Sequence, residues 1–162
     1  MPLSIGDKLP DATLIRMGDS GPETVTISEL TSGKKVALFG LPGAFTGTCS
    51  TAHVPSFMRN MTAFKEKGVD TVVCVAVNDP FVMQAWSENT GAGEAGIMML
   101  ADPAAEFTKA ADMAFTAPPV GFYDRSKRYA LLAEDGVVTQ MNEEAGPGQC
   151  EISAGETLLA QI

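Results

Sequence analysis

Cys49 stands in the segment Pro42-Gly43-Ala44-Phe45-Thr46-Gly47-Thr48-Cys49-Ser50, and its thiol is the group in this sequence best placed for covalent chemistry. The segment follows a short apolar run, Val36-Ala37-Leu38-Phe39, and precedes a helical pattern. Cys49 is therefore expected in or just before a helix's first turn. Unpaired backbone N–H groups and the positive end of the helix dipole favour an anion there, by about 0.3–1 kcal/mol and up to ~2 kcal/mol when partly buried. A thiolate so placed is a nucleophile of lowered pKa. Ionisation alone does not make fast chemistry. A thiol of pKa ~8.5 is already a few per cent ionised at neutral pH, so full ionisation gains a factor of roughly 30, and nucleophilicity falls as pKa falls. Orientation of the substrate and stabilisation of charge on the leaving atom must supply the rest. Thr46, about one helical turn before the sulfur, has the spacing for one such group, and a guanidinium would serve as the other.

The elements that must position these groups follow from periodicity. Residues 36–39 form a buried strand that ends at Gly40. Val54, Phe57, Met58, Met61 and Phe64 recur at steps of three and four, which predicts one helix face, with Pro55 in its first turn or at a bend and Gly68 just past its end. Residues 71–77 (TVVCVAV) are apolar on both faces and read as a central parallel strand. Asn78-Asp79-Pro80 opens a helix to about Asn89, residues 97–100 make a short strand, and Asp102-Pro103 caps a helix through about Ala111. Residues 129–133 and 137–141 flank Glu134-Asp135-Gly136, a hairpin signal, and Ser153 with Glu156 predicts a capping box for a terminal helix. The first 40 residues read as short extended pieces between turns. The order implies one α/β domain over residues 1–162, with a mixed central sheet flanked by helices.

Cys74 and Cys150 have different surroundings. Cys74 sits inside TVVCVAV, where a cysteine usually serves as a small buried hydrophobe, whereas Cys150 follows the Gly/Pro-rich Ala145-Gly146-Pro147-Gly148-Gln149 and should be more exposed. His53 is the only histidine, and packing or hydrogen bonding is the expected role. With no closely spaced ligand pair, the three cysteines and one histidine are not expected to bind a metal, and the absence of a Gly-rich phosphate loop argues against a nucleotide cofactor. Gly18-Asp19-Ser20-Gly21-Pro22 copies a serine-protease nucleophile loop, but no histidine precedes Ser20, so it reads as a turn. Asn60-Met61-Thr62 fits a glycosylation pattern on an expected helix in a chain with no visible export signal.

The Cys49 segment resembles the active-site loop of peroxiredoxins, in which a proline, three residues, a threonine or serine, two residues and a cysteine recur. Pro42, Thr46 and Cys49 match it position by position. The stretches Thr51-Ala52-His53-Val54-Pro55-Ser56-Phe57, Cys74-Val75-Ala76-Val77-Asn78-Asp79-Pro80-Phe81-Val82-Met83 and Arg125-Ser126-Lys127-Arg128-Tyr129-Ala130 narrow the likeness to the type II, peroxiredoxin-5-like, atypical two-cysteine subfamily. The resemblance runs from about Ile5 to the end of the chain. It implies a thioredoxin-like fold with an N-terminal β extension, and a thiol-dependent peroxidase that needs no cofactor. Cys49 would attack a hydroperoxide and become a sulfenic acid. Thr46 would hydrogen-bond the sulfur and the substrate, Arg128 would lower the thiolate pKa and hold the peroxide, and Pro42 would shield the sulfur. His53 and Arg125 would support the site. Cys150, Cys74 or an external thiol would resolve the sulfenic acid, with glutathione/glutaredoxin or thioredoxin as reductant and a homodimer as the assembly. Gly47 departs from the proline usual in the subfamily and loosens the loop. A redox sensor that passes an oxidised Cys49 to a protein partner is the reading from another class.

Composition sets outer bounds. Of 162 residues 45% are hydrophobic and 19% charged, enough for a real core. The net charge of −9 disfavours phosphate backbones, so no nucleic-acid partner is expected. No apolar run of ~18 residues predicts a membrane span. An odd cysteine count without a leader suggests a cytoplasmic chain.

Overall fold

The computed structural model describes residues 2–146 and 148–162. Pro147 of the Gly/Pro-rich loop lies outside the described residues. Strands β1 (Thr13–Gly18) and β2 (Gly21–Thr26) form the N-terminal hairpin, and helix α1 (Ile27–Thr31) follows. Next come β3 (Lys35–Gly40), a π-helical turn (Cys49–His53), α2 (Val54–Met58), α3 (Met61–Glu66), β4 (Thr71–Ala76), α4 (Pro80–Thr90) and β5 (Met98–Ala101). Helix α5 (Glu106–Ala110), β6 (Ala114–Ala117), β7 (Phe122–Ser126), β8 (Tyr129–Glu134), β9 (Val137–Glu143) and α6 (Gly155–Ala160) complete the chain. The seven-stranded sheet has the order β2-β1-β5-β4-β3-β8-β9, with β3, β4 and β5 parallel and the outer strands antiparallel.

Both faces of the central strands are covered, which is why they read as unbroken apolar runs. Ala37, Phe39 and Cys74 face one layer, packed with Phe57, Phe64, Trp86 and Leu158 from the helices that carry the crossovers and the C-terminus. Val36, Leu38, Val73 and Val75 face the other, against Ile27, Leu30 and Phe107 from α1 and α5. Cys74 thus points to the same side of the sheet as the helical segment that begins at Cys49.

Several expectations need correction. The single helix expected over residues 54–64 is two, α2 and α3, broken at Arg59 and Asn60. Ahead of α2 the chain widens into a π turn, closed by Val54 N donating to Cys49 O. Pro55 explains the widening, because it brings no N–H to the turn before it and takes a place near the start of α2 that tolerates this. The expected capping box at Ser153 does not form: α6 is capped by Ala154 without a side-chain bond, and the Ser153 hydroxyl donates instead to Glu144. Asp102 does not stand at the N-cap of α5, a place Ala105 takes; its carboxylate reaches over the turn to Phe107 N and Thr108 N. The small β6/β7 sheet and α1 were not expected. These elements are four or five residues long, too short for a period to declare itself.

Gly155 shows how tightly α6 is seated. Its amide donates to Ser56 Oγ at 2.9 Å, and a Cβ there would lie 2.5 Å from Ser56 O and 3.1 Å from Phe57 Cα. Backbone cannot yield as a side-chain tip can. Gly155→Ala is expected to cost about 1–3 kcal/mol, lowering Tm by ~2–4 °C per kcal/mol; a thermal melt matching wild type within about 1 °C would contradict the seating.

Candidate active site

The loop after β3 is held from three sides. At Gly40 the Tyr129 ring lies where a side chain would be, so the strand leaves the sheet beneath an aromatic lid. Arg125 Nη1, from β7, donates to Pro42 O at 3.0 Å while its guanidinium sits 5.1 Å from the centre of the Phe122 ring. Asn78 Oδ1, just past β4, accepts from Ala44 N at 2.9 Å. Within the loop, Thr46 Oγ1 donates to Gly43 O at 2.7 Å. Phe45 has a φ of 63° and an exposed ring, while Pro42 is buried. Thr48 Oγ1 donates to Gly148 O at 3.1 Å, which fastens the loop to the C-terminal irregular segment.

Cys49 opens the π turn and exposes none of its surface. Arg128, one residue ahead of β8 and 2% exposed, aims at it: Nη2 donates to Cys49 Sγ at 3.2 Å. Nη1 of the same guanidinium lies 3.0 Å from His53 Nδ1, and His53 Nε2 lies 3.0 Å from Ser153 O. Arginine only donates, so Nδ1 must accept, and the proton sits on Nε2 and points to the Ser153 carbonyl. Burial first and the Arg128 charge second pull His53 down to about 3, against the pull of the Ser153 carbonyl. The imidazole is neutral at physiological pH. It packs against Phe39, 4.9 Å between ring centres. The ordered fork of Arg128 thus has one prong on a neutral ring and the other on sulfur, a geometry that a lysine could not copy.

The two remaining cysteines differ as their segments suggested. Cys74 is fully buried on β4; burial first and the neighbouring Cys49 second push its thiol well up, against Arg128. Cys150 is half-buried, and burial raises its thiol while Arg128 and the Ser153 hydroxyl oppose the rise. All three are unpaired thiols. Cys74 and Cys150 are therefore both within electrostatic reach of Arg128. No group of three or more His, Cys, Asp or Glu among the described residues could hold a metal.

The structure brings Cys49, Arg128 and His53 into contact, places Thr46 and Pro42 in the adjoining loop, and puts Arg125 behind that loop. The Thr46 proton goes to Gly43 O rather than to sulfur. Four contributors were not singled out from the sequence for what they hold here. Asn78 shows in the sequence only as part of a helix start, Trp86 carries no local signal that its indole N–H donates to Ser50 Oγ at 2.9 Å, and Glu144 and Ser153 are nine residues apart on an aperiodic stretch. The Asn-Asp-Pro sequence carried a usable signal for Asn78; nothing local marked Glu144.

A profile of the Redoxin family matches residues 4–159. The chain is 48% identical to peroxiredoxin-2E-2, chloroplastic, of Oryza sativa subsp. japonica, over 98% of its own length and 72% of that relative. It is 43% identical to peroxiredoxin-2C of the same species, with 99% of each covered. Among solved structures, reduced Prx3 in complex with H2O2 from Vibrio vulnificus superposes with a TM-score of 0.92 at 45% identity, covering 98% of both chains. Peroxiredoxin 5 from Alvinella pompejana gives a TM-score of 0.86 at 33% identity, covering 98% of this chain and 97% of that one. With a buried sulfur under a guanidinium on a thioredoxin-like sheet, the chain belongs to the peroxiredoxins of the type II, peroxiredoxin-5-like group, thiol-dependent peroxidases of antioxidant defence.

Proposed function

We propose that Cys49 is the peroxidatic nucleophile and that the 3.2 Å contact from Arg128 to its sulfur is the feature that carries catalysis. The thiolate lone pair forms an S–O bond to the terminal peroxide oxygen. The O–O electrons pass to the leaving oxygen, which takes a proton and departs as water or alcohol, leaving a sulfenic acid. The guanidinium, fixed by His53, donates to sulfur and to the charge that develops as the O–O bond breaks. Because the Thr46 proton is committed to Gly43 O, its oxygen accepts the O–H of the hydroperoxide and so selects the protonated substrate. Pro42 keeps bulk water from the sulfur. His53 and Arg125 act as supports, one behind the guanidinium and one behind the loop. Since Cys49 has no exposed surface, substrate reaches it only as the loop breathes.

Cys150 is the resolving thiol in this reading. It lies on an irregular, half-buried segment, whereas Cys74 sits in the middle of a strand hydrogen-bonded on both sides. Attack of the Cys150 thiolate on the sulfenic sulfur expels hydroxide, which leaves as water, and forms a disulfide. A glutathione/glutaredoxin pair or thioredoxin then restores both thiols. Exposed Phe45, Phe81, Val120 and Tyr123 lie on or near the segments that brace the loop, and a second copy of the chain is the occupant that suits them, giving a homodimer. The reading for location is cytoplasmic, resting on three unpaired thiols, and the plastid named for the rice and Arabidopsis relatives is the alternative. No described helix is long and apolar enough to cross a membrane.

One equivalent of peroxide followed by intact-mass measurement tests the cycle. Wild type and Cys74→Ser are expected to lose two hydrogens, about 2 Da, while Cys150→Ser gains one oxygen, about 16 Da. Cys49→Ser should change in neither way and consume no peroxide. A Cys150→Ser protein that still loses two hydrogens transfers the resolving role to Cys74.

A further inference from the structure

Behind the guanidinium, hydrogen bonds close into a ring. Glu144 follows β9 and is 6% exposed. Its amide donates to Arg128 O at 2.9 Å. One carboxylate oxygen, Oε2, accepts from Glu151 N at 2.7 Å, Ser153 N at 2.7 Å and Ser153 Oγ at 2.6 Å. Ser153 O then receives the His53 Nε2–H, and His53 Nδ1 receives Arg128 Nη1–H. The circuit runs Arg128, Glu144, Ser153, His53 and back to Arg128, and Nη2 of the same guanidinium points out of it, onto the sulfur.

We infer that Glu144 is a positioning residue for the peroxidase reaction, which fixes the direction of the Arg128 donor by holding Ser153 against His53. The inference rests on Cys49 being the nucleophile. Glu144 touches neither substrate nor sulfur. It acts by folding back the segment that carries Cys150, so the Ser153 carbonyl meets the imidazole and the imidazole meets the guanidinium. Three N–H and O–H donors on one oxygen make strong charge-assisted bonds. The same donors and the Arg128 charge outweigh burial and keep the carboxyl below its ordinary range, so it is ionised wherever the enzyme works. A carboxamide could still accept the three donors at its oxygen, and an alanine could accept none.

The test compares full-length wild type, Glu144→Ala and Glu144→Gln. Peroxide-driven oxidation of Cys49 is read against its alkylation by iodoacetamide, followed on the Cys49 peptide by mass spectrometry. Misdirection of one donor should slow the peroxide reaction about tenfold in Glu144→Ala and leave alkylation within about threefold. Glu144→Gln should recover the peroxide rate to within about threefold of wild type. A wild-type peroxide rate in Glu144→Ala overturns the inference, as does equal slowing of both reagents, which would mean general loosening. So does a Glu144→Gln protein as slow as Glu144→Ala, which would mean that charge alone matters. Should Glu144→Ala fail to fold, Ser153→Ala decides: removing one of the three donors is expected to slow the peroxide reaction about threefold, and a wild-type rate overturns the inference. Continued peroxide consumption by Cys49→Ser would instead sink the assignment of the nucleophile, whatever Glu144 does.

Discussion

Arg128→Met is expected to slow oxidation of Cys49 by about 10²–10³-fold, the cost of removing one fixed donor from a site where charge develops. The side chain has similar length, so the change takes away the charge and the fork while filling most of the space. The bonds from Nη2 to Cys49 Sγ and from Nη1 to His53 Nδ1 are lost together. Arg128→Lys should recover only a small part of the loss, because a single ammonium cannot span the imidazole and the sulfur as the planar guanidinium does. Stopped-flow oxidation with hydrogen peroxide measures the effect, with a thermal melt alongside to establish that the variant is folded. A folded Arg128→Met protein within tenfold of wild type would remove the guanidinium from the mechanism.

Stability should fall as acid is added below pH ~6.5, because His53 is buried as the neutral imidazole. His53 is held at about 3 in the folded chain against an ordinary value of 6.5, so between those values the unfolded chain binds a proton that the folded chain refuses. Stability from the neutral imidazole is present above pH ~6.5 and is lost as pH falls toward 3, at about 1.4 kcal/mol per unit. From pH 6.5 to 4.5 the loss is about 2 kcal/mol, or ~4–8 °C in Tm for a chain of this size. Glu144 and Glu156 lie below their ordinary value of 4.5. They add acid loss of the same sign mainly below that value, so between 6.5 and 4.5 the expected loss is traced to His53, the one histidine in the chain, rather than to these two. His53→Gln keeps an acceptor for Arg128 and a donor for Ser153 O but has no proton to gain, and its Tm should be nearly flat across the window. Equal slopes for the two proteins would assign the effect elsewhere.

What could be read from the sequence was what lay close together in it. Residues 42–49 are contiguous, so the loop, its cysteine and its threonine declared themselves, as did the apolar strands that carry them. Arg128 is 79 residues from Cys49 and entered only through likeness to a known family. Ser153 shows the limit from the other side. Ser153 and Glu156 have the spacing of a helix cap, but a buried carboxylate from another segment offered the hydroxyl a stronger, charge-assisted partner, and the local rule lost. Pro55, lacking an N–H, fits only a helix's first turn or a bend, yet spacing alone does not tell whether the chain bends, breaks or widens around it. It widened upstream at Cys49–His53 and broke downstream at Asn60, whose side chain donates to Ser56 O.

The wide turn at Cys49–His53 gives the chain slack at the place where, in the proposed cycle, the Cys49 sulfur would travel to meet Cys150. Rewinding a five-residue loop of helix into the usual four frees a residue upstream, worth roughly 1.5 Å as helix or 3.3 Å as extended chain. Cys49 can draw on that spare length while α2, anchored by Phe57 on Phe39 at 4.1 Å, stays where it is. The hydrophobic layer beneath need not be disturbed each time the enzyme turns over.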